Sequence, residues 1–293
     1  MFRMFQRKTT GSVVCPSCGS LVGVRDDKCY TCGRSNPGLW GFGPLLRQLG
    51  ADFGFVPLVI GACSILYVLT LLVSGSELQI AGGGVMSLLA PSGRALLMFG
   101  MSGAYPVFAQ GAWWTLLSAS WLHGSLLHIF FNMYWVRRFG PDTVELIGPS
   151  RTVIVYTVSG VAGFLLSSTA GRLLGGLPIP FFLRGASFTM GASASVLGLL
   201  GAIAHYGRTG GSRLIREQVK QYLVWFIISG LIFRGTDNYA HLGGFIGGYA
   251  ASSMMNPLAR ERGDHLLIAA GCLIATLLAI VFSLVNGFGL LVR

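Results

Sequence analysis

The sequence predicts an all-α membrane protein, a polytopic helical bundle preceded by a small cysteine-rich knuckle. Charged residues make up only 11% of the 293 positions and hydrophobic residues 53%, whereas soluble domains carry about 25% charged residues. The chain also holds 43 glycines, and glycine is more frequent in membrane helices than in soluble ones. The first forty residues lack an apolar run and contain four of the six cysteines. We therefore expect the first apolar helix to act as its own insertion signal.

The predicted knuckle, residues 1–40, contains two C-x-x-C-G turns separated by ten residues, at 15–19 and 29–33. Two tight turns of this kind direct four thiolates at one metal ion, and glycine lets backbone amides turn towards the sulfurs. Two disulfides or a redox dithiol pair are the alternatives, and an expected cytosolic location and the doubled spacing disfavour them. We expect a structural Zn²⁺ site without an open catalytic position. Its ligands would be Cys15, Cys18, Cys29 and Cys32.

The remainder, residues 41–293, is predicted to be the membrane domain. Its apolar segments approach the ~20 residues that cross a bilayer core, although several are short and interrupted by glycine. The short segments are expected to be buried inside the bundle, where their backbone does not face lipid. The seven expected spans are 55–73, 113–136, 152–169, 191–206, 219–233, 239–255 and 265–286.

The distribution of basic residues predicts the orientation. Most of the 21 Lys and Arg residues fall in segments that lie inside if the N-terminus is cytoplasmic, so the C-terminus is expected outside. The same loops explain the net charge of +11, and we expect no nucleic-acid partner. The expected location is a bacterial inner membrane, with the long loop 74–112 lying partly in the outer leaflet.

Polar residues inside apolar segments are costly and are candidates for function. Ser193 stands among small residues at the start of the fourth span, where helix N-terminal amides suit a developing oxyanion; an N-cap or packing serine is the alternative. His241 begins the sixth span, and Gly244 and Gly248 follow on its face, so that a neighbouring helix can approach closely. A neutral imidazole is the usual base for a serine hydroxyl, although a histidine at the interface would look the same.

His128 and Asn132 lie four residues apart in the second span, so both fall on one helix face. They suit an oxyanion site, or interhelical hydrogen bonds worth about 1 kcal/mol. His123 lies off this face and is predicted to be structural or interfacial, holding the first loop. Spans two, four and six run from outside to inside, which places Ser193 and His241 near the outer starts of their helices and His128 in the body of its own.

Four motifs follow one another along the chain: Trp113-Trp114 leading into His123, His128-x-x-x-Asn132, Gly191-x-Ser193 and Ala240-His241 with its trailing glycines. In this order and spacing they resemble the rhomboid family of intramembrane serine proteases. The resemblance covers about residues 55–256, a six-helix core, and makes 265–286 an appended seventh helix.

The resemblance implies a catalytic dyad of Ser193 and His241 without an acidic third member, so Asp237 is not assigned to a triad. It also implies an oxyanion hole formed by His128, Asn132 and the Ser193 amide. The implied substrates are transmembrane proteins, cleaved in the bilayer near the outer face at small residues in a destabilised helix. Zinc knuckles occur on some members, and this one is suited to dock a protein partner or to stabilise the tail.

Three positions depart from the family pattern. Ala194 replaces a second glycine, Thr115 stands where many members have arginine, and Leu197 replaces a tyrosine that packs on the histidine. The alternative to a protease is a rhomboid-like pseudoprotease that binds membrane clients without cleavage, and the presence of both dyad residues argues against it. A transporter with a histidine proton relay would need mid-membrane carboxylates and a pseudo-repeat, which the sequence does not show.

Overall fold

The computed structural model describes residues 7–16, 18–43, 52–79, 87–233 and 235–291. The predicted all-α membrane bundle is confirmed, and within the described residues seven long helices form it. They are α1 (Phe55–Ser74), α2 (Leu126–Ile147), α3 (Pro149–Leu174), α4 (Ser193–Thr209), α5 (Arg213–Ile232), α6 (Asn238–Met254) and α7 (Gly263–Leu291).

The N-terminal knuckle contains a two-stranded antiparallel sheet of β1 (Ser12–Val14) and β2 (Leu21–Gly23). Val13 pairs with Val22, and their side chains pack with the cysteines into a small apolar core separate from that of the bundle. Residues 1–6 and 17 of the predicted knuckle lie outside the described residues. The domain boundary at 40–41 stays a prediction.

Three described helical stretches are long and apolar enough to cross a bilayer: Phe55–Glu77, Pro149–Leu174 and Gly263–Gly287. Helices α4 and α6 have only 17 residues each. They lie at the centre of the bundle, where α3 packs against both. Their backbones face other helices, as expected for short spans.

Small residues make this central packing possible. A Cβ at Gly163 of α3 would lie 2.5 Å from the Ala240 carbonyl oxygen of α6 and 2.7 Å from the Ala194 Cβ of α4. A Cβ at Gly248 would overlap the Gly198 carbonyl oxygen and lie 2.5 Å from its carbon. Glycine therefore lets the backbones of the three helices contact one another, as small residues commonly do where membrane helices pack.

The predicted start of the second span at 113 is wrong. The chain from 113 to 121 forms two short helical turns, Thr115–Ser118 and Ala119–Trp121. Helix α2 begins only at Leu126, where the Ser125 hydroxyl accepts the His128 N–H at 3.2 Å. The composition is apolar on both sides of the start of α2 and does not indicate it, whereas the serine cap does. His128 consequently lies in the first turn of α2 and not in the helix body.

The knuckle contacts the end of the bundle opposite to the starts of α2, α4 and α6. Arg34 Nη1 donates to the Glu261 carbonyl at 3.4 Å in the connection between α6 and α7. The Glu261 carboxylate accepts the Arg151 N–H at 2.9 Å, and the Arg151 guanidinium donates to Ala259 and Arg260 carbonyls at 2.8 Å. Burial raises the pKa of the Glu261 carboxyl. Buried Arg151 thus fixes the loop on which the knuckle rests.

Candidate active site

Ser193 is the first residue of α4 and is half-buried. The preceding Gly191 has a φ of +126°, and a Cβ there would lie 2.6 Å from His128 Nε2. Only glycine satisfies both the backbone angle and the space. The Ser193 N–H, at a helix N-terminus, has no partner within its helix. Sequence, backbone angle and contact together put the His128 ring against the turn that leads into Ser193.

The hydrogen bonds of His128 define which ring nitrogen carries its proton. The Gly124 N–H donates to His128 Nδ1 at 3.3 Å. In a neutral ring Nδ1 is then the acceptor, so the proton is assigned to Nε2. Nε2 is the atom that faces Gly191, and its N–H is therefore directed at the turn before Ser193.

Asn132 lies one helical turn after His128 and is buried. Its Nδ2 donates to the His128 carbonyl at 2.9 Å, which uses one of its two amide hydrogens. The second hydrogen has no bond among those described. Asn132 is thus on the same face of α2 as His128, as the spacing predicted.

His123, predicted to be structural or interfacial, is fully buried and contacts the turn before Ser193. Its Nε2 accepts the Ala192 N–H at 3.5 Å, and its ring lies edge-on to that of His128 with centroids 5.2 Å apart. In the described residues its Nδ1 has no hydrogen-bond partner. His123 therefore helps to hold the turn before Ser193 in place.

His241 lies in the first turn of α6, half-buried beside Phe226. Asp237 caps this helix by accepting the Ala240 N–H at 2.9 Å. Its other carboxylate oxygen accepts the hydroxyls of Thr189, at 2.6 Å, and Ser167. Asp237 therefore joins α3, α6 and the segment before Ser193. No bond from its carboxylate to the His241 ring occurs among the described contacts.

The crossing of α4 and α6 brings the two proposed dyad residues towards each other. A Cβ at Gly244 would lie 2.7 Å from the Ala194 carbonyl carbon. Ser193 lies next to Ala194 on α4, and His241 lies one turn before Gly244 on α6. The described hydrogen bonds include none between Ser193 and His241, and catalytic hydrogen bonds are often long in the free enzyme.

A second serine–histidine pair lies at the other end of the same two helices. His205 Nδ1 and Ser252 Oγ are 3.1 Å apart, and Thr209 contacts His205 Nε2 at 3.2 Å. Ser252 is only 1% exposed and belongs to the last turns of α6. The negative end of a helix dipole there disfavours an oxyanion. This pair joins α4 to α6 and supplies an internal control.

The three residues that depart from the family pattern are all buried. Ala194 is buried at the α3–α4–α6 contact, and Leu197 is 2% exposed within the main apolar core. Thr115 is buried; its hydroxyl donates to the Ala112 carbonyl at 2.6 Å and lies 3.2 Å from Ser102 Oγ. The first loop is therefore anchored here through hydroxyl groups.

The knuckle brings its four cysteine sulfurs within 4.8 Å of one another. Cys15 and Cys32 are 3.8 Å apart and Cys18 and Cys29 are 3.5 Å apart. Four sulfurs bound to one Zn²⁺ at about 2.3 Å are about 3.8 Å apart, so the cluster fits a tetrahedral metal ion. Hydrogen bonds from the Ser20 hydroxyl and backbone N–H lower the pKa of the Cys18 thiol to about 6. This favours the thiolate form that binds metal.

A family model described as the Rhomboid domain matches residues 110–258, about half of the chain. The chain belongs to the rhomboid family. The matched range contains every residue of the proposed rhomboid site. Membership and the long apolar helices make the protein an integral membrane protein.

Known rhomboids are similar to part of this chain. Rhomboid protease GluP of Bacillus subtilis is 29% identical over 167 residues, 56% of this chain and 30% of the relative. RHOMBOID-like protein 4 of Arabidopsis thaliana is 32% identical over 166 residues, 55% of this chain and 39% of the relative. Rhomboid-like protease 1 of Toxoplasma gondii is 27% identical over 199 residues, 66% of this chain and 64% of the relative. The chain thus spans less than two thirds of each relative's length.

Proposed function

We propose that the protein is an intramembrane serine endopeptidase that cleaves membrane-anchored proteins within or near a transmembrane segment. The observation that carries the proposal is the turn before Ser193, which packs against the Nε2–H of His128 while α4 crosses α6 one turn from His241. A nucleophile, a base and oxyanion donors then come from the first turns of α4, α6 and α2. Two of the relatives reported above are named as proteases, GluP and Rhomboid-like protease 1, and they support the same reaction class.

In the proposed reaction, Ser193 Oγ attacks the scissile carbonyl carbon while His241 takes the hydroxyl proton. The oxyanion is held by the Ser193 N–H, the His128 Nε2–H and the second amide hydrogen of Asn132. The carbon–nitrogen bond breaks as His241 returns the proton to the leaving amine. Water, deprotonated by His241, then hydrolyses the acyl-enzyme and frees Ser193.

The proposed substrates are transmembrane proteins with small residues and a loosened helix, because a helical peptide bond is shielded by its own hydrogen bonds. We propose that the protein lies in a bacterial inner membrane, with its N-terminus in the cytoplasm and its C-terminus outside. Ser193 then lies towards the outer face, where water for hydrolysis is available.

The knuckle is proposed to bind a structural Zn²⁺ through Cys15, Cys18, Cys29 and Cys32. Four thiolates leave no open coordination position, so the ion would stabilise the fold of this segment and take no part in hydrolysis. A protein partner of the knuckle is compatible with its separate core.

The alternative, a pseudoprotease that binds clients without cleavage, draws support from the lack of a described Ser193–His241 hydrogen bond. Co-reconstitution with a model single-span substrate in vesicles distinguishes the two. We expect wild type and Ser252→Ala to release a fragment whose new N-terminus lies in or near the span, and Ser193→Ala and His241→Ala to release none. Substrate that co-purifies with wild type but stays intact would favour the pseudoprotease.

A further inference from the structure

The last turns of α7 lie against the first loop, by which we mean the described part of the connection between α1 and α2 (residues 75–79 and 87–125). Trp114 Nε1 donates to Ser283 Oγ at 3.0 Å, and the Trp114 ring packs edge-on against Phe282 with centroids 4.6 Å apart. Ser283 is 4% exposed. A buried indole N–H needs a partner, and inside a membrane no water replaces one that is lost.

Two glycines show how close this contact is. A Cβ at Gly100, whose φ is +97°, would lie 2.5 Å from Ser283 Oγ. A Cβ at Gly287 of α7 would lie 2.7 Å from Met98 Cα. Helix and loop therefore pack closely at two positions four residues apart along α7, and Leu284 between them packs on the apolar cluster of the loop.

The same loop is bonded to the segment that leads into Ser193. Ser102 and Thr189 exchange two backbone hydrogen bonds of 3.0 and 2.7 Å. The Gly191 N–H donates to the Ala119 carbonyl at 2.9 Å. The Ser118 hydroxyl, next to Ala119, donates to the Gly100 carbonyl at 2.8 Å. Contacts thus run without a gap from α7 through the loop to the turn before Ser193.

We propose that α7 is a positioning element of the active site, in which Ser283 holds Trp114 and Gly100 so that the first loop fixes the Ser193 turn. The six-helix core alone then leaves this loop without its outer support. The proposal rests on the proposed function for its kinetic consequence, while its structural consequence stands independently. Ser283 touches no reacting atom and acts only through the loop.

The test uses the full-length protein in detergent and three variants. Ser283→Ala removes the acceptor for Trp114. Trp114→Phe keeps an aromatic ring but removes the donor, and it also serves if Ser283→Ala does not fold. Thr276→Ala is the matched control, because this buried hydroxyl of α7 donates to the Cys272 carbonyl of its own helix, at 2.9 Å, and to no other group among the described residues.

Two quantities are measured: the rate of Ser193 labelling by a fluorophosphonate at saturating probe, and hydrogen exchange of the Ser102 and Thr189 amides. We expect Ser283→Ala and Trp114→Phe to slow labelling by roughly 10- to 100-fold, the scale of a 1 Å misplacement, with the final labelled fraction unchanged. Both should speed exchange at the two amides. The double variant should be no slower than either single one, and Thr276→Ala should match wild type.

Wild-type labelling and exchange in Ser283→Ala and Trp114→Phe would overturn the proposal, as would equal effects in Thr276→Ala. Failure of the proposed function has a different signature, since wild-type protein would then not label at all. In that case exchange decides: faster exchange confined to the Ser283 and Trp114 variants supports the positioning role, and unchanged exchange refutes it.

Discussion

Replacing Gly244 by alanine is expected to separate α4 from α6 and to disable the site without removing a reacting group. The new Cβ would overlap the Ala194 carbonyl oxygen and lie 2.7 Å from its carbon. Carbon atoms in contact are about 3.5–4.0 Å apart, so the helices must part by roughly 1 Å. Overpacking of this kind costs about 1–3 kcal/mol of stability.

The substitution should also slow the chemistry, by a free energy similar to its effect on stability, because 100-fold in rate is about 2.7 kcal/mol. Because Ser193 and His241 lie on the two helices that separate, their approach is lost by a similar distance. A misplacement of 1 Å costs about 100-fold in rate. We therefore expect Gly244→Ala to react with a fluorophosphonate roughly 100-fold more slowly than wild type while it remains folded by thermal unfolding.

Gly61→Ala is the matched control for this substitution. Gly61 lies in α1, and a Cβ there would meet no atom within 4 Å. Alanine is favoured over glycine in a helix by about 1 kcal/mol, so this variant should label at the wild-type rate with equal or higher thermal stability. Wild-type labelling by Gly244→Ala would refute the account of the α4–α6 crossing.

Two further predictions concern the support of the site and the knuckle. Asp237→Ala removes a helix cap and the acceptor of the Thr189 hydroxyl, and should cost about 1–3 kcal/mol of stability together with slower labelling; wild-type values for both in a thermal-shift and labelling comparison would contradict this. The metal affinity of the knuckle should fall progressively as the pH drops below about 6, the pKa of the Cys18 thiol in the metal-free site, because protons then compete with metal for the thiolate. Chelation at neutral pH should unfold the knuckle and leave helicity of the bundle unchanged by circular dichroism. A metal affinity that does not change as the pH falls through this range would contradict the assignment of Cys18 as a ligand.

Features encoded in local sequence were predicted well. The membrane class follows from composition, and the convergence of the cysteines follows from two turns of fixed spacing. The glycines after His241 predicted a close helix contact, and Gly244 makes it. The start of α2 was missed because apolar residues continue across 113–125, although the serine cap at Ser125 is a local signal that marks it.

Contacts between distant residues were not predictable in this way. The bond from Ala192 to His123 joins residues 69 positions apart, and that from Trp114 to Ser283 joins residues 169 apart. No periodicity encodes such pairs, because they arise only when helices have packed. The triple contact of Asp237 belongs to the same class, since a capping aspartate alone predicts only the bond within its own helix.

The most direct test of the central claim is identification of the modified residue by mass spectrometry after fluorophosphonate treatment. The probe loses fluoride and bonds to the oxygen of an activated serine. We predict one adduct on wild type and on Ser252→Ala, located on Ser193, and none on Ser193→Ala or His241→Ala. An adduct on another serine, or labelling that persists in Ser193→Ala, would contradict the account.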